Sequence, residues 1–272
     1  MKIKWYVNVL RYLIVAIIMI IMIFPLFYVL NTSFKSNSEF LKDPLGLASS
    51  INFENYIAAW EKANLGEYAL NSVYYAGVTT IISILMAMFL AFPLARKYFK
   101  YGGLIYLAFM IGMFLPDGTV PRWQIIMKMG LYNTRTGYML TLLNGGGVTL
   151  MMFISYIKSI PKDLDEAATL DGCGYFTYVF KILTPLMKPA IASMAVLSCI
   201  NTWNEILGSI IYLSREELYP ITRGLYVFKG DYSVQWPMLT AALVIVAIPM
   251  VLVYIFLQKY IIDGIVSGGV KA

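Results

Sequence analysis

The chain has 272 residues, 60% of them hydrophobic and only 13% charged, with a formal net charge of +6 and a mean hydropathy of +0.71. A soluble fold of this length needs more polar surface than that, so the composition places the chain among membrane proteins. Histidine is absent, which excludes histidine metal sites, a serine–histidine triad and imidazole proton relays. Cys173 and Cys199 have no metal-ligand spacing and read as free thiols. The lysines and arginines are scattered around apolar runs rather than clustered. That pattern fits a lipid bilayer and gives no reason to expect nucleic acid.

A membrane helix needs roughly 20 mostly apolar residues. Spans are predicted at 12–30, 70–95, 101–116 (a short one), 136–157, 188–208 and 236–258. Lys2, Lys4 and Arg11 precede the first run as they would in a signal peptide. That run is too long for a signal core, however, and no small-x-small cleavage site follows before "NTSFK", so the helix is expected to be retained. After it, "NFENYIAAWEKANLGEYALNS" predicts a short amphipathic helix at the surface. Lipid offers no hydrogen bonds to bare backbone, and strict alternation is missing, so the spans are helices. The expected fold class is an all-α membrane protein with six transmembrane helices in a single transmembrane domain, 1–272. Of the 21 Lys/Arg, 12 fall in segments 1–11, 96–103, 158–188 and 259–272. The positive-inside bias makes these cytoplasmic, together with both termini.

Two spans carry polar or irregular features. Gly145–Gly147 interrupt the fourth: they either break the helix and expose backbone near Gly146 to a pathway or allow close helix packing. In the fifth, Asn201 and Asn204 lie one turn apart with Trp203 between them and Glu205 beyond. This is either a solute-facing patch or, for Trp203 and Glu205, the headgroup belt, with asparagine bonding a neighbouring helix.

Between the fourth and fifth spans, residues 159–185 include "DLDEAATLDGCGYFTYVFKILTP". Pro161 suits a first helical turn, and Asp163, Asp165 and Glu166 favour the positive end of the helix dipole. Leu164, Ala167, Ala168 and Asp171 form a narrow small-residue face ending in an acid. Gly172 and Gly174 can each take the left-handed conformation that ends a helix. Phe176, Val179, Phe180 and Leu183 then make an apolar stripe. The reading is two short helices around a glycine elbow, displaying acids to the cytoplasm. It is either a docking element for another protein or a membrane-surface connector.

The same stretch, "EAATLDGCGYFTYVFKILTPL", resembles the EAA loop of ATP-binding-cassette importer permeases. Glu166, Ala167, Ala168, Gly172, Ile182 and Pro185 match at the right spacing, and Thr184 stands where the pattern has leucine, in a position expected only to pack. "SIPKDLDEAA" and Asp171-Gly172 are similar to the carbohydrate-uptake branch, as are "NTSFKSNSEF", "NFENYIAAW", "GLYNT", "WNE" and the tail "GIVSGGVKA", which resembles that of maltose-permease-G-like subunits.

The resemblance implies a permease subunit of a binding-protein-dependent sugar importer in a prokaryotic inner membrane. Its implied partners are a second homologous permease, two cytoplasmic ATPase subunits and an extracytoplasmic solute-binding protein. It also implies that Glu166, Ala167, Ala168, Asp171 and Gly172 couple to the ATPase, with Glu166 making the charged contact and Gly172 the bend. Lys271 is expected near the ATPase interface, and Asn201, Asn204, Trp203 and Gly146 are the candidates for a sugar pathway. No phosphate loop (G-x-x-x-x-G-K-S/T) is present, so ATP and magnesium are expected in the partner ATPase and no cofactor on this chain. An importer of another solute remains an alternative. An ion-coupled transporter would need intramembrane acids or histidines, of which only Glu205 is a candidate.

Overall fold

In the computed structural model, residues 5–116, 118–228 and 234–269 are described, with side chains to residue 258. The tail around Lys271 lies outside the described residues. Helices dominate, and among the described residues there is no extended strand. The chain groups into two compact units, Met1–Gly66 with Gly224–Pro249, and Glu67–Arg223 with Met250–Ala272.

In the first unit, α1 (Trp5–Ser33) is uniformly apolar, with mean hydropathy 3.1 over its most apolar stretch and none of that stretch buried. A helix oily on every side and covered on none is suited to lipid or to another apolar helix. Its end is held by polar groups. Lys35 is fully buried, its Nζ donating to the carbonyls of Asp43 (2.8 Å) and Pro44 (3.2 Å). Asn31 donates to Gly46 O and accepts from Ala48 N, while Asn55 Nδ2 donates to Ser33 O and Lys35 O. The "NTSFK" stretch thus folds the following loop, which includes α2 (Asn37–Lys42), back onto the helix end. The surface helix α3 spans only Glu54–Lys62. It stops at Asn64, which sits at φ +47°. Leu65 already opens the next long helix, so the second half of the expected surface helix belongs to the second span.

That helix, α4 (Leu65–Arg96), is the spine of the second unit: 61% of its most apolar stretch is buried, against 22% for the last long helix. Ala87, Ala91 and Ala95, at helical spacing, let neighbours approach closely. α5 (Gly102–Gly112) has 11 residues, about 17 Å of helix. This falls short of the predicted 101–116 span because the helix unwinds after Gly112. α6 (Thr119–Lys128) follows. The predicted span 136–157 is two helices, α7 (Arg135–Leu142) and α8 (Gly147–Ser159), bent 55° at the glycine triplet. Leu150, Phe153, Ile154 and Ile157 of α8 pack the core against α4.

α9 (Asp163–Leu170), α10 (Tyr175–Tyr178), a π turn at Val179–Leu183 and α11 (Thr184–Leu186) make the elbow segment. An 88° bend at Met187 leads into α12 (Lys188–Trp203), which ends five residues before the predicted 208. α13 (Leu207–Tyr212) and two 3-10 turns, Glu216–Leu218 and Ile221–Phe228, precede α14 (Trp236–Gly269). Among the described residues, three helices (α1, α4, α14) are long and apolar enough to cross a membrane, or up to five spans if each bent pair counts as one.

Burying a lysine is tolerable only with its ammonium satisfied. Lys35→Met should cost about 2 kcal/mol, the scale of hydrogen bonds to a charged group, read as a lowered thermal midpoint of the detergent-purified chain.

Candidate functional site: a glycine elbow anchored to α4, and a polar cavity

The elbow begins with a helix end built by the backbone alone. Asp171 caps α9, and Gly172 follows at φ +71°. Gly172 N donates to Thr169 O (3.0 Å) and Cys173 N to Ala168 O (2.9 Å), the two reversed bonds of a Schellman motif. No atom lies within 4 Å of where a Gly172 Cβ would stand, so the demand for glycine is conformational. Gly174 is different from the sequence expectation: at φ −71° and ψ 159° it is extended, and Gly172 alone makes the left-handed turn.

The acids divide. Glu166 and Asp171 are exposed, as are Ala167 and Leu170, the latter 89% accessible. Ala168 is buried, and so is Asp165, contrary to the expectation that the acids all face outward. The small-residue face therefore splits: Ala168 turns into the core beside Asp165, while Leu164, Ala167 and Asp171 stay exposed.

Asp165 is held by Arg96, the last residue of α4. Arg96 Nε lies 2.5 Å from Asp165 Oδ2, and Nη2 donates to Asp165 Oδ1 (3.2 Å) and to the Ile160 carbonyl (3.1 Å). The Tyr178 hydroxyl also donates to Asp165 Oδ1. Burial, then the hydrogen bond to Asp165, pushes the Tyr178 phenol up, so it keeps its proton and remains a donor. The Tyr178 ring stacks on Phe92 at 4.9 Å.

A second tie lies about two helical turns earlier, at Phe89. Pro93 has no N–H, which leaves the Phe89 carbonyl without its intrahelical donor. The Tyr175 hydroxyl supplies one at 2.6 Å, and Phe176 and Phe180 pack on the Phe89 ring at 5.4 Å each. The apolar stripe predicted for α10 is thus divided: Val179 and Leu183 are buried in the core, while Phe176 and Phe180 stay largely exposed. Thr184 does more than pack. Its N–H and its Oγ1 (2.7 Å) both reach the Val179 carbonyl, filling the π turn just ahead of Pro185.

The same unit contains a cavity of about 1080 Å³. Asn201 and Gly146 line it, together with Arg122, Asn144, Ser198 and Glu205. Asn204, which caps α12, and Trp203, only 2% exposed, are not in its lining. Trp203 therefore sits in the protein interior and not on this cavity's wall. Glu205 Oε1 accepts from Gly208 N at 2.6 Å, tying down the start of α13. The three glycines serve three ends. A Cβ at Gly145 would stand 2.8 Å from Met86 Cβ and one at Gly146 2.5 Å from the Phe109 ring, while Gly147 has φ +60°. The helix breaks at the triplet, and its neighbours pack tightly there.

Arg122, Asn144 and Ser198 were missed in the sequence because isolated polar residues near apolar runs carry no pattern. "NGGG" itself marked the place of Asn144. Arg96 and Tyr178 were also missed: they lie 69 and 13 residues from Asp165, and only the fold brings them together.

Residues 63–266 match the family described as binding-protein-dependent transport system inner membrane component. A probable ABC transporter permease protein, YurM, of Bacillus subtilis (strain 168) is 32% identical over 98% of this chain and 90% of its own length. A diacetylchitobiose uptake system permease protein, NgcG, of Streptomyces coelicolor is 33% identical over 92% of this chain and 84% of its own. Among solved structures, a chain of a bacterial ABC transporter involved in the import of the acidic polysaccharide alginate has the same fold, with TM-score 0.84, 21% identity, and coverage of 94% of this chain and 96% of that one.

Removing one partner of a buried pair strands the other charge, so Asp165→Ala should lower stability by about 3–5 kcal/mol. Gly172→Ala should cost about 1–2 kcal/mol for its left-handed backbone, and Gly174→Ala much less. Thermal midpoints of the purified variants check the order.

Proposed function

Because the chain belongs to the family of binding-protein-dependent transport system inner membrane components, we propose that it is the membrane-spanning permease subunit of an ATP-driven importer of sugars or oligosaccharides. It forms one half of a translocation pathway and is a transport component, with ATP and magnesium bound by a separate ATPase. The cargo class is supported by the relatives, among them a diacetylchitobiose uptake permease. It is also supported by a cavity whose amide and hydroxyl groups, Asn201, Asn144 and Ser198, suit a polyhydroxylated solute. In this reading the bilayer is crossed six times, by α1, α4, α5 with its flanks, the α7–α8 pair, α12 and α14, with both termini cytoplasmic. A second homologous permease completes the pathway, two ATPase subunits sit beneath it, and a solute-binding protein delivers cargo from outside.

The observation that carries the coupling role is the division of the elbow. Asp165 and Ala168 anchor it inward, which leaves Glu166, Ala167, Leu170 and Asp171 on the outer side of α9 with the Gly172 turn beside them. An apolar knob flanked by two carboxylates is a complete docking surface: Leu170 enters a socket, and Glu166 meets a cationic side chain of the ATPase.

Co-purification from membranes expressing the whole system tests this. The parent chain is expected to retain a second permease and an ATPase. Glu166→Lys should release the ATPase or uncouple it while the permease pair stays intact. A parent complex without any ATPase would overturn the importer reading, and an unaffected Glu166→Lys complex would remove Glu166 from the contact.

A further inference from the structure

The elbow and the cavity share one helix. Over the last three turns of α4, one side meets the elbow: Phe89 through its carbonyl and ring, Phe92 by stacking on Tyr178, and Arg96 through Asp165 and Ile160. The other side forms cavity wall: Met86 and Leu90 line the space, and Met86 backs directly on Gly145. Phe89 and Leu90 are adjacent residues, so the elbow's grip and the cavity's wall are separated by the width of one helix.

The grip is also of a rigid kind. Two segments of the elbow, Ile160 at its entry and Asp165 on α9, meet a single guanidinium that is itself buried, and Tyr178 on α10 joins them through Asp165. Buried charge-assisted bonds resist sliding, because any displacement leaves a charge unpaired. Pro93 adds weight to a second tie, since its missing N–H leaves the Phe89 carbonyl without its helical donor and Tyr175 supplies one. A proline also bends a helix more easily than its neighbours do, and this one lies between the two ties. An elbow fastened on both sides of a weak point moves the helix as a unit, where one fastened at a single point would bend it.

We infer that Arg96, Asp165, Tyr178 and Tyr175 are positioning residues that make the end of α4 the transmission element: displacement of the elbow by the ATPase reaches the cavity wall at Met86 and Leu90 through this helix. The inference rests on the importer reading above and adds to it the route of coupling and the four side chains that form it. None of the four touches solute or nucleotide in this scheme. They act by holding α4 and the elbow as one body, so their loss changes the coupling between two sites rather than the chemistry at either.

The test uses the assembled transporter, with its partner permease and ATPase, in lipid nanodiscs. Cys173 and Cys199 are replaced by serine and Met86 by cysteine, and the probe is a membrane-impermeant maleimide. In the parent, trapping the ATPase with ATP and vanadate should change the labelling rate at position 86 by about fivefold or more, the low end for coupled sites. Asp165→Asn and, separately, Tyr175→Phe should abolish most of that change while the complex still assembles and hydrolyses ATP. A merely structural role would lower assembly and hydrolysis together and leave the response of the surviving complex intact. If Asp165→Asn fails to assemble, Tyr175→Phe decides, because it removes one hydroxyl and keeps the ring. A labelling change equal to the parent's in assembled variants, or no change in the parent, would overturn the inference. A parent that binds no ATPase would instead overturn the reading beneath it.

Discussion

The second unit is organised by one buried guanidinium. Arg96 closes the most buried of the long apolar helices among the described residues, and its side chain meets the start of the elbow, the first elbow helix and, through Asp165, the second. Continuum reasoning makes such a pair a poor source of stability, since desolvating both charges costs about as much as their attraction returns. Its value lies in specificity. Apolar packing among Val179, Leu183, Met187 and the alanines of α4 would tolerate several registers of the elbow. A carboxylate that must meet both a guanidinium and a phenol tolerates one. With Asp165 so placed, Glu166 and Asp171 have no inward partner to claim and remain outside.

The cavity is held by the opposite device, the absence of side chains. Three consecutive glycines end α7 and start α8, and each answers a different neighbour: Met86 on α4, the Phe109 ring on α5, and a left-handed backbone. A single substitution would therefore disturb one contact and leave the others. The polar residues that line the space are not gathered on one helix, since Arg122, Asn144 and Asn201 come from separate segments. A cavity formed this way can change shape when any one wall moves, which a site carried on one rigid element could not.

What the sequence made legible follows the range of the interactions. The elbow was readable because its signals are local: the acids of a first turn, a glycine at the right distance, prolines beyond. Gly172 was correctly drawn as a left-handed turn, whereas Gly174 was not, since two nearby glycines look alike until the hydrogen bonds of Thr169 and Ala168 choose between them. The long apolar runs gave α1, α4 and α14, with α4 starting earlier than its hydropathy does because Leu65 to Leu70 are helical for reasons of packing. The interrupted spans were harder. Hydropathy is blind to the early unwinding after Gly112, because Met113, Phe114 and Leu115 are as apolar as the helix they end. Asp165 was misjudged for the same reason in reverse. Its charge predicted exposure, and only a residue 69 positions away in the chain could overrule it.

The interplay of Pro93 and Tyr175 shows how such long-range terms become mechanism. In isolation the proline is a defect, one lost hydrogen bond in a membrane helix where lost bonds are costly. The elbow repairs it, and in doing so makes the helix depend on the elbow. Were residue 93 any other amino acid, the Phe89 carbonyl would have an internal donor and would no longer depend on Tyr175 for its hydrogen bond. The defect and its repair lie on different segments, so neither helix nor elbow is complete alone. That mutual dependence is what a transmission element requires: a part whose own geometry is finished only by the piece that drives it.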